Sequence, residues 1–261
     1  MIDEEEYFER RHKLAEFVTA IHPNQVDVEL AIFDLLYSTK KNRINKENEA
    51  LEKLYLKIKN ESPSILDFKT ALKDYKTTFK HDTAYSIVLI YGNLEDYDYN
   101  KHYGKFKKNN SCINKYIGDK HILPNLELLA EQDGAIILDN KGMIQAVNTF
   151  LTNITFNSIP ESQLHLYNNA KERSDPKFYG FKQDVSTRHL SAIGASYTMP
   201  KVITYTLGEN MDKTTPEQTK IEHGQIRRYE LGLISLSTLF SEEKITTPNQ
   251  KYLIETLNQA K

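Results

Sequence analysis

The sequence predicts an α/β protein, with a mixed central β-sheet flanked by helices and an all-helical region at the N-terminus. Three observations carry this. Apolar residues recur at the 3.6-residue period through the first 76 or so positions. Compact β-branched runs, Ile87-Val88-Leu89-Ile90, Ala135-Ile136-Ile137-Leu138 and Val202-Ile203-Thr204-Tyr205-Thr206-Leu207, then replace that period. Between the later runs lies a small-residue stretch, Ala192-Ile193-Gly194-Ala195-Ser196, that suits a closely packed helix.

Taken in order, Leu14, Phe17, Val18 and Ile21 fall at i, i+3, i+4 and i+7, the spacing of one helix face. Val28, Ile32, Leu35 and Leu36 form a second stripe, separated from the first by Pro23, and Leu51, Leu54, Tyr55 and Ile58 form a third. Ser62-Pro63-Ser64, with Asp67 as capping partner, marks the start of a fourth helix. The segment 93–114 is rich in Asp, Tyr, Lys and Asn and reads as loop or loosely ordered strand, its lysines a solvated face. A helix over 125–131 leads into Ala135-Ile136-Ile137-Leu138, the turn Asp139-Asn140-Lys141-Gly142 and the strand Met143-Ile144-Gln145-Ala146-Val147, with Gly142 supplying the positive φ of a tight hairpin. A long polar connection follows to about 184, then a helix to Ala195, the 202–207 strand, a further strand near 231–236 and a closing helix over 252–257. His223-Gly224-Gln225-Ile226 reads as a turn. The organisation expected is a helical region over 1–80 and an α/β domain over 81–261.

Composition excludes several classes. Net charge is −2 and the pI about 6.5, so no general polyanion-binding surface is advertised and no nucleic-acid partner is expected. The one cysteine, Cys112, excludes an intramolecular disulfide and a multi-thiolate zinc site, and without an adjacent His or Asp it does not read as a nucleophile. The acidic start is unlike a secretory signal, and no run approaches the roughly eighteen apolar residues of a spanning helix. A cytoplasmic, soluble protein without a membrane partner is therefore expected.

The familiar phosphate signatures GxxxxGK[ST] and GxGxxG are absent, as is HExxH. Phosphate chemistry, if present, must use side chains and a helix start. Asp133-Gly134 is a common turn dipeptide, but between a helix and an interior strand its carboxylate stands where it can bind a metal or accept a hydroxyl proton, and Gly134 can admit a ligand close to the backbone. Thr187-Arg188-His189 is either a solvated cation beside a surface imidazole or, at the start of a helix, a phosphate corner. There Arg188 would fork two phosphate oxygens, Thr187 would donate its hydroxyl and His189 would add a donor or proton relay. Glu209 is a charged strand end or a second metal-facing carboxylate.

The order Asp133-Gly134-Ala135-Ile136-Ile137-Leu138, hairpin, long connection, Ser186-Thr187-Arg188-His189-Leu190-Ser191-Ala192, then a strand leading to Glu209 resembles the diadenylate cyclase (DAC) domain family. That family carries a DGA motif and a TRHxxA motif in this order, and the resemblance covers roughly residues 84–240. It implies condensation of two ATP molecules into cyclic di-AMP and two pyrophosphates with magnesium, manganese or cobalt. It implies Asp133 as the metal-associated residue that activates the ribose 3′-hydroxyl, Gly134 and Ala135 lining the nucleotide, and Thr187, Arg188 and His189 on the phosphates. A second copy of the chain across the active site is implied as well, each copy bringing one ATP. The helices of 1–80 would then serve oligomerisation or regulation.

The chain also departs from the pattern. Gln132 stands where some branches have His, Ser186 where Gly precedes the TRH, and Gly208-Glu209 where an acidic pair occurs; Tyr197, Pro200 and Lys201 replace a polar and acidic stretch, and 210–222 reads as an insertion. Gln132, Gly208 and the insertion motivate one rival to the cyclase, a nucleotide-binding sensor of the same fold with weakened turnover; a third reading is a related nucleotidyltransferase making a linear or mixed dinucleotide.

Overall fold

The computed structural model describes residues 4–61, 88–92, 110–130, 134–151, 187–199, 201–208 and 226–237. Helix α1 (Glu4–Ile21) is followed by a 3-10 turn (Pro23–Gln25) and by α2 (Val26–Glu61). Strand β1 (Val88–Tyr91) precedes α3 (Leu123–Ala130), and β2 (Ala135–Leu138) and β3 (Ile144–Thr149) form a hairpin. Helix α4 (Thr187–Thr198) comes next, then β4 (Ile203–Leu207), β5 (Ile226–Glu230) and β6 (Leu233–Ser237).

Pro23 separates α1 from α2, because its ring fits the first turn of a helix and no later position. The second and third apolar stripes, expected as separate helices, lie on one continuous helix of 36 residues. The physical reason is that no Pro or Gly interrupts Val26–Glu61. The helix expected from Ser62 and the closing helix over 252–257 lie outside the described residues. Helix α1 folds back along α2: Tyr7 packs its ring on Phe33 and Tyr37 and donates its hydroxyl to Asp34, and Arg11 pairs with the same carboxylate at 2.9 Å.

Among the described residues six strands form one mixed sheet in the order β3-β2-β1-β4-β5-β6. Strands β1 and β2 run parallel and the remaining neighbours antiparallel, so the expected α/β class with a mixed sheet is observed. At the β2–β3 turn Asp139 accepts backbone N–H bonds from Lys141 and Met143 on its side chain, and Gly142 has φ 76°. The β5–β6 turn, Leu231-Gly232, has both φ values positive (52° and 77°), the requirement of a two-residue type I′ hairpin.

Helices cover both faces of the sheet. On one face Tyr91, Ile136, Leu138, Ile203, Tyr205, Leu207 and Ile226 join Leu14, Phe17, Ile32 and Leu36 of the α1–α2 pair in a single apolar core, with Cys112 and Leu126 closing it. Helices α1 and α2 thus share an apolar core with the sheet. On the other face α4 packs against β4 and β5, its Ala192 carbonyl accepting the Thr204 hydroxyl at 2.9 Å. Alternate residues of β4 serve opposite faces, which is the pleat of a strand buried on both sides.

Inside the α1–α2 face sits an ionic cluster built on the fully buried Arg228 and Glu29. Arg228 forks Glu29 of α2 through Nε (2.6 Å) and Nη2 (3.0 Å) and reaches Glu230 through Nη1 (2.7 Å). His22 Nε2 lies 2.6 Å from the other Glu230 oxygen, Tyr205 donates its hydroxyl to Glu29, and the Arg228 guanidinium stands 5.3 Å over the Phe17 ring. Burial by itself raises the Glu230 carboxyl, but Arg228 and His22 outweigh it and leave the group at about 2, against an ordinary 4.5. A carboxyl depressed on folding stabilises fully above its unfolded value and loses that contribution as pH falls through the folded one. Wild-type urea midpoints are therefore expected to fall between pH 4.5 and pH 2 more steeply than those of Glu230→Gln, and parallel curves would refute the assignment.

Candidate functional site

Helix α4 opens on Thr187-Arg188-His189, so the triplet occupies a first turn whose N–H groups have no partner within the helix. The side chains of Thr187 and Arg188 lie outside the described residues. His189 does not stand in solvent: it is 6% exposed and turns toward the sheet. Its Nδ1 lies 2.9 Å from the Tyr229 hydroxyl on β5 and 3.1 Å from Thr206 Oγ1 on β4. Burial pushes the Tyr229 phenol up to about 12, so it stays protonated at neutral pH.

Sheet register brings the other motif to the same place. Ala135, the last residue of Asp133-Gly134-Ala135, opens β2 and pairs with Val88, which pairs with Thr206, which pairs with Arg227. Residues directly opposite one another share a face, so Ala135, Thr206 and Arg227 lie in one row on the α4 face. Two strand spacings separate Ala135 from Thr206, roughly 10 Å. Thr149 of β3 extends the row as the pair of Ala135, and its Oγ1 makes no hydrogen bond among the described residues. Arg227 is almost wholly buried there, and burial lowers its pKa. The row therefore carries hydroxyls and one guanidinium at the end of the sheet where β2 begins and β4 finishes.

Gly134 has a structural reason that the sequence did not disclose. It adopts φ 116°, and a Cβ there would stand 2.6 Å from the Asn148 carbonyl carbon and 2.8 Å from its Cα. On the side where a Cβ would stand, the backbone of β3 closes against it. Gly134→Ala is expected to cost about 1–3 kcal/mol through the strained backbone. A lowered urea midpoint at unchanged m would show it, and an unchanged midpoint would refute it.

Asp133 and Glu209 lie outside the described residues, as do Gln132 and the insertion over 210–222. Among the described residues no group of three or more His, Cys, Asp or Glu side chains is arranged to hold a metal ion. The two carboxylates expected for that task are hard oxygen donors, the type that Mg²⁺ and Mn²⁺ take. In sequence Asp133 precedes the start of β2 and Glu209 follows the finish of β4. Cys112 is fully buried and its thiol is pushed up by burial, conditions that disfavour a thiolate.

Sequence reasoning missed Thr206, Arg227 and Tyr229. Strand β5 reads Ile226-Arg227-Arg228-Tyr229-Glu230, a charged stretch by composition that is buried at every position. The available signal was the Leu231-Gly232 turn ahead of the alternating Leu233-Ile234-Ser235-Leu236-Ser237, which calls for a preceding partner strand. No protein-family model matches the sequence, and no curated protein matches it. Among the described residues no helix is long and apolar enough to cross a membrane.

Proposed function

We propose that the chain is a diadenylate cyclase, joining two ATP molecules into cyclic di-AMP with release of two pyrophosphates. The observation that supports this reading best is the convergence of its two motifs. Ala135 lies in the same row and on the same face of the sheet as Thr206, which contacts His189 in the first turn of α4. Without that register, Asp133-Gly134-Ala135 and Thr187-Arg188-His189 would be two unrelated short strings.

In this mechanism the first-turn N–H groups of α4, with Thr187 and Arg188, hold the triphosphate, since a helix start and a guanidinium both favour bound anions. A divalent cation bound there, magnesium, manganese or cobalt, would neutralise charge on the phosphates and lower the cost of ionising the ribose hydroxyl. Asp133 takes the hydroxyl proton, and Asp133 and Glu209 are the carboxylates that would hold the cation. The 3′-oxygen of one ATP bonds to the α-phosphorus of the other, the bond from that phosphorus to the bridging oxygen breaks, and pyrophosphate leaves. Repeating the step with the nucleotides exchanged closes the ring. Two nucleotides face to face require two sites, so a second copy of the chain is the partner and an isolated copy binds ATP without cyclising it.

Incubation of the purified protein with ATP and manganese, followed by mass spectrometry, tests the proposal. Cyclic di-AMP is expected; its absence from wild type in every assembly state sinks the reading. Tight ATP binding by a verified dimer with no pyrophosphate release would identify a sensor, and a linear or mixed dinucleotide would identify a related nucleotidyltransferase.

A further inference from the structure

We infer that Thr204 and Ser196 are positioning residues for α4: together they fix how far the helix stands along the sheet, and with it the place of the first turn that carries Thr187, Arg188 and His189. The inference rests on the cyclase reading for what that turn does, and on the contacts of α4 alone for how it is held.

Three positions of α4 reach the sheet through polar atoms: His189, the Ala192 carbonyl and Ser196. They are spaced i, i+3 and i+7, one face of a helix. Much of the helix between His189 and Ser196 is small, with Ala192, Gly194 and Ala195. Contact between small apolar groups is non-directional, so it brings helix and sheet close without selecting one axial position. Hydrogen bonds do select one, because they weaken steeply with distance and angle.

Thr204 Oγ1 on β4 donates to the Ala192 carbonyl at 2.9 Å. The Gly232 N–H, in the β5–β6 turn, donates to Ser196 Oγ at 3.1 Å. Ser196 gives its own hydrogen to the Ile193 carbonyl at 3.0 Å, so its hydroxyl is oriented from within the helix and meets Gly232 as an acceptor. Thr204 and Ser196 are both wholly buried. The two bonds engage positions four residues apart on α4, roughly 6 Å along its axis, and reach different parts of the sheet. One bond would let the helix pivot; two at different heights oppose sliding and rolling alike. The sheet side is firm as well, since β5, which leads into the Gly232 turn, is clasped on its opposite face through Arg228 and Glu29.

The consequence falls on chemistry more than on capture of ATP. Attraction between a triphosphate and a helix start with its guanidinium changes slowly over an ångström, because charge interactions fall off gently with distance. In-line attack on the α-phosphorus tolerates no such shift: about 1 Å of misplacement can cost a hundredfold in rate.

Thr204→Val keeps the shape of the side chain and removes its hydroxyl, and Ser196→Ala removes the acceptor of the second bond. Each is expected to lower kcat for cyclic di-AMP roughly ten- to a hundred-fold, assayed well below the unfolding transition. KM for ATP should change by much less, and Thr204→Ser should restore kcat. A lowered urea midpoint with kcat of the folded protein unchanged in both variants would show support without positioning and overturn the inference, as would a rise in KM alone. Amide hydrogen exchange supplies a reading that needs no turnover. The Gly232 amide is expected to exchange about tenfold faster in Ser196→Ala, the loss of one hydrogen bond, and the amides of α4 are expected to exchange faster in Thr204→Val. Exchange unmoved in both variants overturns the inference, and the Thr204 series decides it if Ser196→Ala fails to fold. A wild type that forms no cyclic di-AMP refutes the proposed function, while exchange still decides whether the two bonds hold α4.

Discussion

Arg228→Met is expected to destabilise the protein by about 3–5 kcal/mol, the usual result of deleting one partner from a fully buried ion pair. The variant leaves Glu29 and Glu230 facing each other without the guanidinium that now forks one and contacts the other, inside a core that excludes water. Such carboxylates must either stay charged in a low-dielectric interior or take up protons, and both outcomes cost free energy. Urea unfolding at neutral pH measures the loss as a lowered midpoint at nearly constant m. Adding Glu29→Leu should recover part of the loss, because an apolar side chain of similar bulk asks for no partner. A single variant within about 1 kcal/mol of wild type would mean that water or local rearrangement replaces the guanidinium, and the cluster would lose its structural role.

Asp133→Asn is expected to lower cyclic di-AMP formation by about 10²–10⁴-fold, the range of a general base or its metal-bound equivalent. The substitution keeps size and polarity, so the effect isolates the negative charge. An amide neither accepts the ribose proton at neutral pH nor draws a divalent cation as a carboxylate does. ATP affinity should change little, because Thr187, Arg188 and the start of α4 carry the triphosphate in the proposed site. Calorimetry on the same preparation separates the two quantities. A variant that cyclises at the wild-type rate removes Asp133 from the chemistry, and one that loses ATP binding assigns it to nucleotide recognition.

Much of the fold was legible where the chain follows a regular period. The stripe from Leu14 to Ile21 gave α1, the Asp139-to-Gly142 turn gave the β2–β3 hairpin, and the β-branched runs gave β1, β2 and β4 to within a few residues. Separate apolar stripes predict separate helices, but one helix spans the second and third because no helix breaker stands between them. Strand β5 was invisible for a different reason. Burial is read from apolar composition, and here three charged side chains are buried by pairing or packing rather than by being apolar. Of the candidate site, the residues of both motifs were identifiable as strings, whereas the side chains that surround His189 were not.

The sequence by itself determined α1, the β2–β3 hairpin and the apolar strands β1, β2 and β4, since local periodicity, Pro23 and Gly142 act over a few residues. It also determined which short strings could carry phosphate chemistry. Only the tertiary structure decided that Gly134 answers to Asn148, that Ala135 and Thr206 share a row, and that His189 faces Tyr229, positions that are 14, 71 and 40 residues apart along the chain. Such pairs are set by strand order and register, which emerge from packing the whole sheet between two helical layers. No local preference of the chain encodes them, so they become legible only once the fold has closed.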